Sequence, residues 1–86
     1  MISIEQIRAA RGLLGWSQTQ LAEAAGRSLP TIKRLERESD DGAAVSEDVR
    51  EAVQKALEKA GVEFIPENGG GAGVRLKKRG KRTSPL

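Results

Sequence analysis

Cysteine and histidine are both absent from this sequence. Without cysteine there is no disulfide framework and no thiolate metal site. Without histidine the commonest general base and the commonest zinc ligand are missing together, which weighs against an enzyme. The aromatics are one tryptophan, Trp16, and one phenylalanine, Phe64, too few for a platform on which single-stranded bases stack. No apolar run is long enough to span a bilayer, and "MISIEQIR" lacks the charged-then-apolar pattern of a secretory signal. The expectation is a soluble, cytoplasmic protein with no membrane association, no cofactor and no metal. At 86 residues the chain has room for one small domain.

Charge is present, and it is unevenly placed. The net charge is +3. Residues 1–37 carry six basic and three acidic side chains, residues 38–67 three and nine, and residues 68–86 six and none. Basic ends around an acidic middle produce an oriented field rather than a uniformly sticky surface.

Hydrophobic spacing divides the chain into four helices and a hairpin. Ser3 with Gln6 is a capping-box pattern, so a first helix starts near Ile4, buries Ile7, Ala10 and Leu14, and stops at Gly15. Ser17 with Gln20 repeats the box. The second helix covers about Gln18–Ala25 and turns Leu21, Ala22 and Ala25 inward. Gly26 suits the left-handed residue that a sharp reversal needs. Ser28 can cap a third helix, with Pro30 in its first turn, where a missing N–H costs nothing, and with Ile32 and Leu35 inward. "ESDDGAAV" (38–45) reads as a loop. A fourth helix follows Ser46, with Glu47 and Asp48 at its positive end and the stripe Val49, Ala52, Val53, Ala56, Leu57, Ala60; Gly61 closes it. "VEFI", the glycine-rich "PENGGGAG" and the alternating "VRLKK" then form a hairpin. "RGKRTSPL" has no apolar content to fold with and is expected to be disordered. The fold class is therefore mainly α. A four-helix domain (1–61) is followed by a β-hairpin (62–78) and a basic tail (79–86).

Two charges fall on stripes that should be buried. Arg11 lies three positions before Leu14, and Glu36 four after Ile32. Opposite signs on facing stripes imply an ion pair tying the first helix to the third. If the pair is buried, breaking it from one side costs roughly 3–5 kcal/mol. If both charges ride the rim in water, it is worth at most about 1 kcal/mol.

The run Ser17-Gln18, Leu21-Ala22, Gly26, Ser28, Thr31-Ile32, Leu35-Glu36 resembles the helix-turn-helix of Cro/CI-type (XRE-type) phage-repressor-like regulators. The resemblance covers residues 3–37 closely and the fourth helix more loosely. Family members often carry an Arg–Glu pair at the positions of Arg11 and Glu36. The resemblance implies a four-helix repressor-like domain that binds double-stranded DNA, with the third helix entering a major groove about 12 Å wide. Ser28, Leu29, Pro30, Thr31, Lys33 and Arg34 would then face bases. Arg34 is the foremost base reader, because its guanidinium fork fits the O6/N7 edge of guanine, and Leu29 can meet a thymine methyl. Gln18, at the start of the second helix, would meet a phosphate, and Arg27, Lys33 and Arg37 are further phosphate candidates.

Departures from the family pattern are visible. Arg27 replaces the apolar residue usual after the turn glycine; either Leu29 fills that space or Arg27 folds outward to phosphate. Pro30 falls where polar base-reading side chains are common. The acidic residues Glu38, Asp40 and Asp41 would repel phosphate. The hairpin replaces the family's fifth helix; small bacterial regulators with an "AGVEF…ENGGG…GVRL" ending are similar in this.

A two-stranded hairpin is marginal alone in water. It needs either a second copy joined at its edge or its own fourth helix to fold back on. The first option gives a homodimer through Leu57, Ala60, Val62, Phe64, Ile65, Val74 and Leu76, whose two reader helices suit a palindromic operator. The tail "RLKKRGKR" can grip phosphate as an arm or simply aid solubility. The sequence thus points to a sequence-specific transcriptional regulator, most simply a repressor. The alternative is a protein-binding antiactivator or antitoxin-like module that keeps the fold without specific DNA binding. A nucleic-acid enzyme is the weakest reading, since "ESDDG" lacks metal-ligand spacing.

Overall fold

The computed structural model describes residues 2–37, 47–67 and 69–77. Four helices precede two strands: α1 (Ile4–Leu14), α2 (Gln18–Ala25), α3 (Leu29–Arg37), α4 (Glu47–Lys59), β1 (Val62–Ile65) and β2 (Gly73–Leu76). The expected loop at 38–45, the Ser46 cap, the last hairpin residue Lys78 and the tail 79–86 lie outside the described residues.

The punctuation of α1 and α2 follows from local chemistry. Both capping boxes form. The Ser3 hydroxyl accepts from the Gln6 backbone N–H while the Gln6 side chain accepts from that of Ser3, and Ser17 and Gln20 do the same. Each box satisfies two helix-end donors that would otherwise lack partners. Gly15 and Gly26 both adopt φ of 70°, and their N–H groups close the last turn of α1 and α2. A left-handed residue there redirects the chain at once, which is why α2 and α3 follow each other across only Gly26, Arg27 and Ser28.

The core is a single cluster shared by helices and hairpin. Ile7, Ala10, Leu21, Ile32, Leu35, Val53, Leu57 and Val62 are all 0 % exposed. Each large member contributes roughly 1.5–3 kcal/mol of transfer free energy. Leu14, Trp16, Ala25, Val49, Phe64 and Val74 pack around this centre. Ile2 and Ile4 are also buried. Arg50 of α4 is buried too, and its Nη1 donates to the Ile2 carbonyl at 3.0 Å, holding the start of the chain against α4.

The hairpin is antiparallel, pairing Val62 with Leu76, Glu63 with Arg75, Phe64 with Val74 and Ile65 with Gly73. It packs on its own helices, β2 against α1 and β1 against α4. Buried Gln6 extends from its capping box to the hairpin, where Nε2 donates to the Gly73 carbonyl at 3.0 Å and to that of Ile65 at 3.4 Å. On the hairpin's other face Arg75 forms a two-pronged ion pair with Glu63, at 3.1 and 3.3 Å.

This packing corrects part of the expected dimer surface. Leu57 and Val62 are wholly enclosed within one chain and have nothing left to offer a partner. Phe64 and Val74 pack against the same core. Of the seven residues, Ala60 and Ile65 are half-buried and Leu76 keeps 48 % of its surface exposed.

Candidate nucleic-acid interface

α3 is two-faced because its sequence alternates at helical spacing. Ile32, Leu35 and Glu36 are buried, whereas Pro30, Lys33, Arg34 and Arg37 are exposed. The exposed positions fall at i, i+3, i+4 and i+7, which is one stripe along a helix. Among the described residues, Lys33, Arg34 and Arg37 engage no other side chain, so the stripe presents three cations and a proline to solvent.

The first turn of α3 is braced locally. The Ser28 hydroxyl accepts from the Thr31 N–H at 3.3 Å and lies 2.8 Å from the Thr31 hydroxyl. The Ser28 carbonyl accepts from the N–H of Thr31 and of Ile32. Ser28 therefore caps the helix, and its hydroxyl is shared with half-buried Thr31. Leu29 is half-buried beside them.

Behind the stripe, Glu36 is the joint of three helices. Its side chain is 4 % exposed, and Arg11 reaches it from α1, donating from Nε at 2.8 Å and from Nη2 at 2.9 Å. The remaining Arg11 nitrogen donates to the Trp16 carbonyl at 3.0 Å, which ties in the α1–α2 corner. Gln18, the first residue of α2, donates from Nε2 to Glu36 Oε1 at 3.1 Å. Arg8 donates to the Glu36 backbone carbonyl in the last turn of α3. A buried carboxylate with three donors on it is a stiff hinge pin, because each lost bond would leave charge unpaired in low dielectric. The cation stripe is thus held at a set angle to α1 and α2.

Two of the candidate phosphate contacts hold partners within the chain. The Gln18 side chain is the one that donates to Glu36. Arg27 folds outward, and its Nη2 meets Asp48 of α4 at 3.3 Å. Its side chain is 34 % exposed and that of Asp48 80 %, so the pair is a surface one worth at most about 1 kcal/mol. Arg8 had not been singled out. Its spacing of three from Arg11 places both on one face of α1, but a backbone carbonyl as its target leaves no mark in sequence. Arg8, Gln18, Lys33, Glu36 and Arg37 together line a cleft between α1, α2 and α3.

The match to known proteins agrees with this geometry. The helix-turn-helix family model matches residues 7–44, just under half of the chain. Over those residues the chain is similar to that helix-turn-helix family. Within the described part, the helix-turn-helix comprises most of α1, all of α2 and α3, and the Gly26 turn; residues 38–44 of the match lie beyond it. No curated protein matches the chain. The helix-turn-helix match supports a DNA-binding regulator. Among the described residues no group of three or more acidic side chains is placed to hold a metal ion, and no helix is long and apolar enough to cross a membrane.

Proposed function

We propose that this protein is a sequence-specific double-stranded DNA-binding regulator, acting as a repressor that occupies a palindromic operator as a homodimer with α3 in the major groove. One observation carries the reading: the face of α3 opposite the core is a cationic stripe left exposed among the described residues, and its inner face is clamped through Glu36. A helix presented in this way can enter the groove without first paying to be ordered. Arg34, central in the stripe, reads a guanine edge, and Leu29 borders a thymine methyl. Ser28, Pro30 and Thr31 form the tip that approaches the bases. Lys33 and Arg37 face phosphate on the flanks, and Arg8 across the cleft adds to the same positive field. Gln18 and Arg27 contribute to phosphate binding through the start of α2 and the turn after Gly26, each releasing or sharing its internal partner on binding.

Fluorescence polarisation on duplexes selected from the source genome tests this. Arg34→Ala is expected to weaken specific binding by about 1–3 kcal/mol and relax the preference at one base pair. An equal loss on selected and random DNA would reduce Arg34 to a phosphate contact. Wild-type binding no tighter than about 10⁻⁴–10⁻⁶ M on every duplex would remove DNA reading altogether. That result would leave the protein-binding module, a reading that the commitment of Arg27 to Asp48 favours.

A further inference from the structure

We propose that the outer edge of β2 is the seat of a two-fold contact with a second copy of this chain, in the register that sets Arg75 opposite the partner's Arg75. The inference rests on the dimer in the functional reading above and names the surface that makes it.

The hydrogen-bond alternation of the hairpin identifies the free edge. Lys77 N–H donates to the Gly61 carbonyl at 2.7 Å, one step beyond the Val62–Leu76 pair. In an antiparallel ladder, bonded and non-bonded pairs alternate. Gly61–Lys77, Glu63–Arg75 and Ile65–Gly73 are therefore the bonded pairs. The main-chain groups of Val62 and Phe64 in β1, and of Val74 and Leu76 in β2, point away from the hairpin. The two edges differ in access. Val62 is 0 % exposed, so the β1 edge is enclosed at that residue, and Phe64 is half-buried. β2 becomes open along its length, from half-buried Gly73 and Val74 to exposed Arg75 and Leu76. An open row of unpaired N–H and C=O groups is a template for another strand.

The side chains favour a second copy in one register. With the two-fold axis at Arg75, Val74 lies opposite the partner's Leu76, and Leu76 opposite the partner's Val74. Both outward residues of β2 are then bonded inside the strand as it stands. Leu76, one of two large apolar side chains left exposed among the described residues, gains an apolar neighbour. On the opposite face the two Arg75 side chains meet, but each is already gripped by its own Glu63, so the row across the joined sheet is neutral overall.

The absence of native cysteine makes the register directly readable. At the axis, Arg75 and its mate form a non-bonded pair with Cα atoms about 4.5 Å apart, inside the range a disulfide spans, about 4.4–6.8 Å. Arg75→Cys is expected to cross-link to itself under mild oxidation, whereas Val74→Cys alone does not and links only when mixed with Leu76→Cys. Leu76→Pro removes an outward N–H and leaves the hairpin's own ladder intact. It is expected to weaken association at least tenfold while the Lys77 amide keeps its exchange protection. Light scattering on the wild-type chain is the reference measurement. A species of 9.2 kDa at tens of micromolar overturns both this contact and the dimeric part of the functional reading. A wild-type dimer that survives Leu76→Pro, with no Arg75→Cys cross-link, overturns the β2 edge and leaves a dimer built elsewhere.

Discussion

Removing Arg11 isolates the joint on which the orientation of α3 depends. In the native protein Arg11 supplies two of the three donors on the Glu36 carboxylate, at 2.8 and 2.9 Å, and also holds the Trp16 carbonyl. After Arg11→Ala, a carboxylate whose side chain is 4 % exposed keeps only the Gln18 amide at 3.1 Å. Breaking a buried pair from one side costs about 3–5 kcal/mol. The Arg11 side chain is 23 % exposed, so water reaches the vacated space and draws the expected loss toward the lower figure, about 3 kcal/mol. A domain of this length has a total stability of roughly 4–13 kcal/mol, so the loss is a large share of it. Glu36→Gln is expected to cost less, because the partly exposed guanidinium keeps Trp16 and gains water. Arg11→Met with Glu36→Leu, which leaves no stranded charge, is expected within about 1 kcal/mol of wild type or above it. Urea unfolding followed through the single tryptophan, Trp16, reports all three. A loss below about 1 kcal/mol for Arg11→Ala is the value of a solvated pair and would refute the buried-joint argument.

Two further predictions concern the turn and the hairpin. At Gly26 the backbone has φ of 70° and an added Cβ would meet nothing within 4 Å. The cost of Gly26→Ala is then conformational alone, about 1–2 kcal/mol, and Gly26→Asn should cost less; equal thermal melts for wild type and the alanine variant would contradict this. In the hairpin, the Arg75 hydrogen bond and then its charge hold the Glu63 carboxyl below its ordinary pKa. A lowered folded pKa means a contribution that is present at neutral pH and fades as pH falls through that lowered value. The Glu63 carboxyl resonance should titrate below an unperturbed glutamate and move back up in Arg75→Gln; an unmoved midpoint would show that the pair does not persist in solution.

Much of this protein is written locally. The two serine–glutamine capping boxes and the glycines at 15 and 26 are short-range devices that act before any tertiary contact exists, and α1 and α2 begin and end where those residues say. The stripes of α3 and α4 are equally legible, since burial imposes a 3.6-residue period whatever the partner is. Arg11 and Glu36 could be paired from sequence for the same reason: two charges on apolar stripes have few ways to be tolerated except together. The tertiary structure alone decided the rest. Arg8 finds a backbone carbonyl, and every residue has one, so no residue type announces it. The side-chain amide groups of Gln6 and Gln18 find partners that depend on how close the hairpin and α3 are docked. Arg27 turns to Asp48 because α4 happens to pass there. Leu57 and Val62 belong to the interior rather than to a second chain, and a hydrophobic pattern records only that a side chain is buried, not by whom.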